Sequence, residues 1–338
     1  MGNVFAVFWA GLFLAISSAA SAATQLTLSS WLPPTHPLVK DMIVPWAESV
    51  EKATEGRVKV NILAKGLGHP KIHYDIARDG LADITYGVHG YTPGRFSMTK
   101  VAEFPFAGNS AEALSVAYWR IHEKYLSKAR EHKDTQLLGL FTHGPGHIHN
   151  GKRKIGKAGD LSGLKFRVGG GVVSDVAGSL GTTALVKPSS KSYELLSHGV
   201  ADGTLFPLES VTAFKVQDLV NHTTLVPGGL YNVSFFLVMN KDRFRDLSSK
   251  DREAIMSVSG ESFSKLAGKA WDKADAAAYE QLKANGNDVV TADDAFIADI
   301  KTKTADLENK WIKDAAKRGV DGEAALAELR QITSTYQQ

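Results

Sequence analysis

The chain has no cysteine among its 338 residues. That excludes disulfides, thiol catalysis, zinc–thiolate sites and iron–sulfur clusters, so the fold must be held by its core. With no cysteine to carry a lipid after a signal, a free protein is expected rather than a lipoprotein. Charge of one sign is scarce as well. Against 36 Asp and Glu stand 39 Lys and Arg, a net charge of +3, and no basic run interleaved with aromatics occurs, so no nucleic-acid partner is expected. There is no G-x-x-x-x-G-K-[ST] loop and no G-x-G-x-x-G opening a helix after a strand. Gly169-Gly170-Gly171 comes nearest and lacks that spacing, so no nucleotide cofactor is expected. Neither a G-x-S-x-G elbow nor an H-E-x-x-H helix is present, and the expectation is a protein that is not an enzyme.

Long hydrophobic runs are missing, with one exception. Residues 1–23 carry no charged side chain; Val4 to Ile16 is apolar and Ser17 to Ala23 is a run of small residues. This reads as a secretion signal cleaved after Ala22 or Ala23, although its first residues lack the usual Lys or Arg. A membrane anchor is the alternative, but the apolar part falls short of the ~20 residues that a spanning helix needs. The mature chain is therefore expected in the periplasm.

The remaining length is comfortable for two lobes. Thr24 to Leu32 has the alternation of a strand and stops at Pro33-Pro34; Pro37 to Glu55 is helical and ends at Gly56; Arg57 to Ala64 alternates again. His73 to Asp79 reads as a helix and Ala82 to Gly87 as a strand. Val116 to Glu131 reads as a helix and Thr135 to Thr142 as a buried strand. A second strand–helix series starts at Asp160, and the apolar run Phe235 to Met239 suits a central strand. This alternation predicts an α/β fold with helices on both faces of the sheets. From Ser248 to Asn285 no proline occurs, Ser248 and Asp251 offer a capping pair, and Phe263, Leu266, Ala270, Trp271, Ala274, Ala278 and Leu282 recur at helical spacing. The pattern predicts one helix of nearly forty residues lying across both lobes, or two helices broken near Gly260.

The most informative stretch is Asp160 to Pro207. Asp160-Leu161-Ser162-Gly163-Leu164-Lys165-Phe166-Arg167-Val168 brings an arginine to the end of a strand, beside three glycines. Gly199-Val200-Ala201-Asp202-Gly203 then leads into Thr204-Leu205-Phe206-Pro207. A guanidinium fork matches the two oxygens of a carboxylate and keeps its charge, although an arginine after a strand is also often a solvated surface residue.

These motifs resemble those of the DctP-type solute-binding proteins of tripartite ATP-independent periplasmic (TRAP) transporters, and the resemblance covers essentially the whole mature chain. It implies a two-lobe periplasmic-binding-protein fold with a long helix spanning both lobes. Lobe I is expected to hold residues 24–147 and 232–270, and lobe II residues 148–231 and 271–338. It further implies that Arg167 anchors a carboxylate in the cleft between the lobes, and that the loaded protein delivers its ligand to an ion-gradient-driven membrane permease.

The chain departs from that family in three places. Many relatives carry a second arginine where Gly146 stands, an asparagine where Phe206 stands, and a phenylalanine where Ser189 stands. The departures remove charge and polar donors from the far end of the cleft and add an aromatic face. An aromatic or hydrophobic monocarboxylate is thus the expected ligand, with a C4-dicarboxylate or a sugar acid as alternatives. Further lining candidates are His36 and Trp31 flanking the Pro33-Pro34 turn, Tyr86, His89 and Tyr91 after the short strand, and Tyr231. His143-Gly144-Pro145-Gly146-His147-Ile148-His149 reads as a loop whose histidines, His147 and His149 foremost, could meet the ligand. From another class, a secreted metal-dependent hydrolase would use His143, His147 and His149, but no carboxylate lies close in sequence to complete the ligand set. A binding protein serving an ATP-driven importer is a third reading.

Overall fold

The structure is a computed structural model that describes residues 22–336. The expected secretion signal falls almost wholly outside the described residues. Among them no helix is long and apolar enough to cross a membrane.

Two sheets form two lobes. The first contains β1 (Thr24–Ser29), β2 (Val58–Ile62), β3 (Ile84–Val88) and β4 (Thr135–Thr142), together with β10 (Ser234–Asn240), in the order β2-β1-β3-β10-β4. The second contains β5 (His147–Asn150), β6 (Lys165–Val168), β7 (Thr183–Val186), β8 (Gly203–Phe206), β9 (His222–Leu225) and β11 (Asp288–Thr291), in the order β11-β9-β5-β8-β6-β7. In the first sheet β1 runs parallel to β2 and β3, and β10 is inserted antiparallel between β3 and β4. Helices cover both faces of β10, which is why its sequence is an unbroken apolar run rather than an alternation. β10 reaches that place only because the chain returns from the second lobe to supply it. The chain crosses between the lobes at 143–146, at 226–233 and again through a helix after β10.

Of the two arrangements expected for that last crossing, the structure has the two helices broken at Gly260. Ser248 caps a helix over Ser249–Ser257, accepting the amide of Asp251 at 3.1 Å. The chain then breaks at Gly260, whose φ of 57° belongs to the left-handed region, and a new helix runs over Glu261–Ala284. Gly260 also donates its amide to the carbonyl of Leu138 and lies against Trp119, where a Cβ would come within 2.9 Å of the indole. A glycine that is only a mild penalty inside a helix is here a bend that docks the helix onto the sheet. The second helix still joins the lobes: it packs on the helix Ala111–Ile121 and on β4 in the first, and on the short helix Leu208–Ala213 in the second. Of residues 271–338, expected in lobe II, the terminal helix Gly322–Thr335 packs on Ala111–Ile121 beside the first sheet.

A correction concerns 143–149. Residues His147–Asn150 form β5, antiparallel to both β8 and β9. The glycines and proline confine the loop to 143–146, and His147 and His149 are strand residues pointing to one face.

Candidate ligand-binding site

Strands β1 and β3 of the first lobe and β6, β7 and β8 of the second all end at the cleft between the lobes, where α/β sheets place their ligands. Arg167 is the third residue of β6 and pairs in register with Thr204 of β8. Phe206 therefore follows two residues later on the same face as Thr204, and its ring centroid lies 4.6 Å from the Arg167 guanidinium carbon. The guanidinium donates its Nε–H to the carbonyl of Lys187 at 2.9 Å, at the end of β7. Arg167 is only 2% exposed, yet no carboxylate among the described residues forms an ion pair with it. Burial pulls its pKa below the ordinary arginine value, while the hydroxyl groups of Tyr91 and Tyr231 nearby oppose that shift. An arginine remains cationic under these conditions, so the cleft contains an uncompensated buried charge.

The walls around that charge are aromatic. Trp31, Tyr86 and Tyr91 line one side, with ring centroids of 6.2 Å between Trp31 and each tyrosine. Phe141 stacks on Phe235 at 4.8 Å, and Trp271 lies 5.9 Å from Phe235. On the second lobe Phe206 stacks on Phe214 at 5.8 Å, and Tyr231 stands edge-on to His143. Within these walls the centre of a water molecule could move over about 50 Å³, where one water needs about 10–15 Å³. That is the space of one small organic molecule.

The polar groups fall into two sets. Near Arg167, His143 gives its Nδ1–H to the carbonyl of Gly144, which leaves Nε2 without a partner. Burial lowers the pKa of His143 to about 4, and the Arg167 charge pushes in the same direction. Tyr91 accepts the amide of Ser189 at 3.0 Å and places its hydroxyl 3.3 Å from the Ser189 Oγ, a contact from one lobe to the other. Farther off are His36, Glu209 and Ser210. Burial lowers His36 to about 4 and, with the neighbouring Asp275, raises Glu209 to about 8.

Four of the seven expected ligand residues line this cleft: Arg167, Phe206, His36 and Tyr231. Three lie elsewhere. His149 uses both ring nitrogens, on the Thr223 hydroxyl at 2.9 Å and the Phe206 carbonyl at 3.1 Å. It supports the strand that carries Phe206 rather than facing the cleft. His147 accepts the amide of Val226 at 3.1 Å through Nδ1 and does not line the cleft. His89 is enclosed by Phe96 and Phe236 and paired with Ser234 and His132. His143 faces Tyr231 and Trp271, whereas His147 and His149 belong to the sheet. Among the described residues no group of three or more His, Asp or Glu is arranged to hold a metal.

The three departures fit together. A Cβ on Gly146 would come within 2.2 Å of the Tyr231 ring, so the space a longer side chain would occupy belongs to that ring. Ser189 makes room for Tyr91 and bonds to it, and Phe206 caps the guanidinium. Trp271, Phe235, Phe141 and Glu209 were not anticipated as lining, and of the 143–149 histidines it is His143 that lines the cleft. Trp271 read as the apolar face of a helix, and only the break at Gly260 and the crossing of the lobes turn it into the cleft. Glu209 had one signal, its place two residues after the Phe206-Pro207 pair.

A family model described as bacterial extracellular solute-binding protein, family 7 (DctP), matches residues 28–314. The chain belongs to that family. A TRAP periplasmic solute-binding protein of Bordetella bronchiseptica, crystallised with (R)- and (S)-mandelate, is 46% identical. It superimposes with a TM-score of 0.90 over 92% of this chain and 99% of its own. One from Rhodoferax ferrireducens, holding copurified benzoate, is 32% identical with a TM-score of 0.86 over 92% and 98% of the two chains. A marine metagenome protein with 3-hydroxybenzoate is 33% identical with a TM-score of 0.87 over 94% and 100%. Members of the family are solute-binding proteins rather than enzymes.

Proposed function

We propose that this DctP-family protein captures an aromatic monocarboxylate in the periplasm and hands it to a TRAP membrane permease. The observation that carries the ligand class is Arg167, a buried cation with no ion-pair partner among the described residues, set in a cleft walled by aromatic rings. One carboxylate supplies the missing counter-charge, and its two oxygens match the guanidinium fork. A flat apolar body then occupies the space between the Phe206–Phe214 stack and the Phe141–Phe235 stack, where its burial adds a hydrophobic contribution. A second carboxylate would find no second arginine, since the ring of Tyr231 fills the space beside Gly146. The ligands of the Bordetella, Rhodoferax and marine proteins support the same class.

In this reading Arg167 orients the acid, the rings exclude water, and contacts between the lobes close the cleft. Besides Tyr91 and Ser189, the amide of Val172 donates to the Glu103 carboxylate of the other lobe at 2.9 Å. The glycines after Arg167 allow this approach. The test is a thermal-shift comparison of benzoate, succinate and glucuronate, because a ligand that binds only the folded state raises its stability. Benzoate is expected to raise the melting temperature most. Stabilisation by succinate or glucuronate alone would overturn the ligand class while leaving the binding-protein assignment intact.

A further inference from the structure

We propose that His36 and Glu209 form a second binding pole of the cleft, which takes a ring hydroxyl of the aromatic acid. The proposal rests on the aromatic-carboxylate reading above and names the substituent that reading leaves open.

His36 lies just after the Pro33-Pro34 turn of the first lobe, and Glu209 lies in the helix Leu208–Ala213 of the second. Both line the cleft and both are buried, at 5% and 1% exposure. Their Nε2 and Oε1 atoms are 3.4 Å apart, within reach of an ion pair but out of hydrogen-bond alignment, and each of these atoms lacks a partner. The rest of each side chain is fixed. His36 accepts the amide of Leu38 through Nδ1, so the ring hydrogen sits on Nε2, which is a donor. Burial keeps the Glu209 carboxyl protonated at neutral pH; with its proton on Oε2, shared with the Ser210 hydroxyl 2.9 Å away, and its own amide held by Asp275 at 2.7 Å, Oε1 is left as the carbonyl acceptor.

A donor and an acceptor side by side, both dry and both unmet, call for one atom that can serve each. A hydroxyl does so: its oxygen accepts from Nε2 and its hydrogen goes to Oε1. A methyl group would leave both unpaired, which is costly in a buried site, and a second carboxylate would set oxygen against the Glu209 oxygen. The pole also lies where a ring substituent would reach. The rings of Phe206 and Phe214 stack in sequence from Arg167, and the imidazole of His36 stands 5.6 Å from that of Phe214. An acid lying along this wall with its carboxylate at Arg167 directs its far edge to the pair. Because the pair joins one lobe to the other, the hydroxyl would also tie the closed form together.

The experiment is calorimetric titration of the mature protein with benzoate, 3-hydroxybenzoate and 4-hydroxybenzoate, and with the two methoxybenzoates, which cannot donate. At least one hydroxybenzoate should bind about tenfold tighter than benzoate, the worth of one to two net hydrogen bonds, and its methoxy analogue should lose that gain. In Glu209→Leu the ratio of hydroxybenzoate to benzoate affinity should collapse to near unity. If that variant does not fold, His36→Phe carries the same comparison. Equal affinities for benzoate and both hydroxybenzoates in the wild type, or a ratio that survives in the variants, would overturn the pole while leaving the carboxylate site standing. No binding of any aromatic acid would overturn the proposed function itself.

Discussion

The ring of Phe206 lies over the guanidinium of Arg167, with 4.6 Å from the ring centroid to the guanidinium carbon. The aromatic residue therefore does two things, supporting the cation from one side and offering its edge and face to the cleft. Phe206→Asn removes the ring and adds donors, and should weaken benzoate by about 0.5–2 kcal/mol, the range for cation–π contacts. Affinity for polar acids should not fall in step. Calorimetry with benzoate and succinate checks this, and equal losses for both would count against a selective role for the ring.

The Gly146 position can be tested by introducing the arginine that the family resemblance led us to expect there. A side chain at this position would run into the Tyr231 ring, since even a Cβ would come within 2.2 Å. Gly146→Arg should destabilise the protein by roughly 1–3 kcal/mol, as overpacked sites do, and should not create a diacid site. Thermal unfolding with and without succinate reads both effects; a stable variant that gains succinate binding would show that the space is free.

Closure is visible in the contacts between Tyr91 and Ser189 and between Glu103 and Val172, which join the lobes. Without ligand, nothing neutralises Arg167 in the closed cleft, so the open form should be populated in solution. Small-angle scattering should give a larger radius of gyration than this closed structure, falling toward it as benzoate is added. A radius that does not change at saturation would contradict a hinge.

Stability should peak near neutral pH. Burial lowers His36, His143 and His149 to about 4 and His89 and His147 to about 3. The unfolded chain takes up these protons below about 6.5 and the folded chain does not, so their stabilisation is present above pH 6.5 and is lost as the pH falls toward 4. Glu209 and Asp275, both raised to about 8 by burial, work in the other direction. Their contribution is complete below the ordinary carboxylate range and is lost as the pH rises through 8. The histidines outnumber the two acids, so acidification below 6.5 should lower the melting temperature steeply, and a shallower fall should follow toward pH 8. Calorimetric melting curves from pH 4 to 9 check this, and a melting temperature that keeps rising past pH 8 would contradict the burial of the two carboxyls.

Much of this architecture was legible where local pattern and tertiary role agree. The alternation of β1, the apolar run of β10 and the placing of Arg167 at the end of β6 all follow from side chains that face what their sequence period predicts. The departures at 146, 189 and 206 pointed to an aromatic interior because each changes the chemistry of one wall. What escaped was set by contacts distant in sequence. The sequence left one long helix and a break near Gly260 both open, and only the contacts with Leu138 and Trp119 decide for the break. The glycines and proline of 144–146 hid the start of β5, and its histidines proved to be strand residues bonded to Thr223, Phe206 and Val226. Trp271 and Glu209 enter the cleft only because two lobes fold together around it.

The most direct test of the account is calorimetric titration of Arg167→Ala and Arg167→Lys with benzoate. Removing the cation from a dry cleft should cost about 2–5 kcal/mol of binding free energy. Lysine should bind poorly as well, because a point charge cannot reproduce the two-pronged fork. Melting curves would show that both variants remain folded. Wild-type affinity for benzoate in the two variants would remove Arg167 from the site and contradict the account.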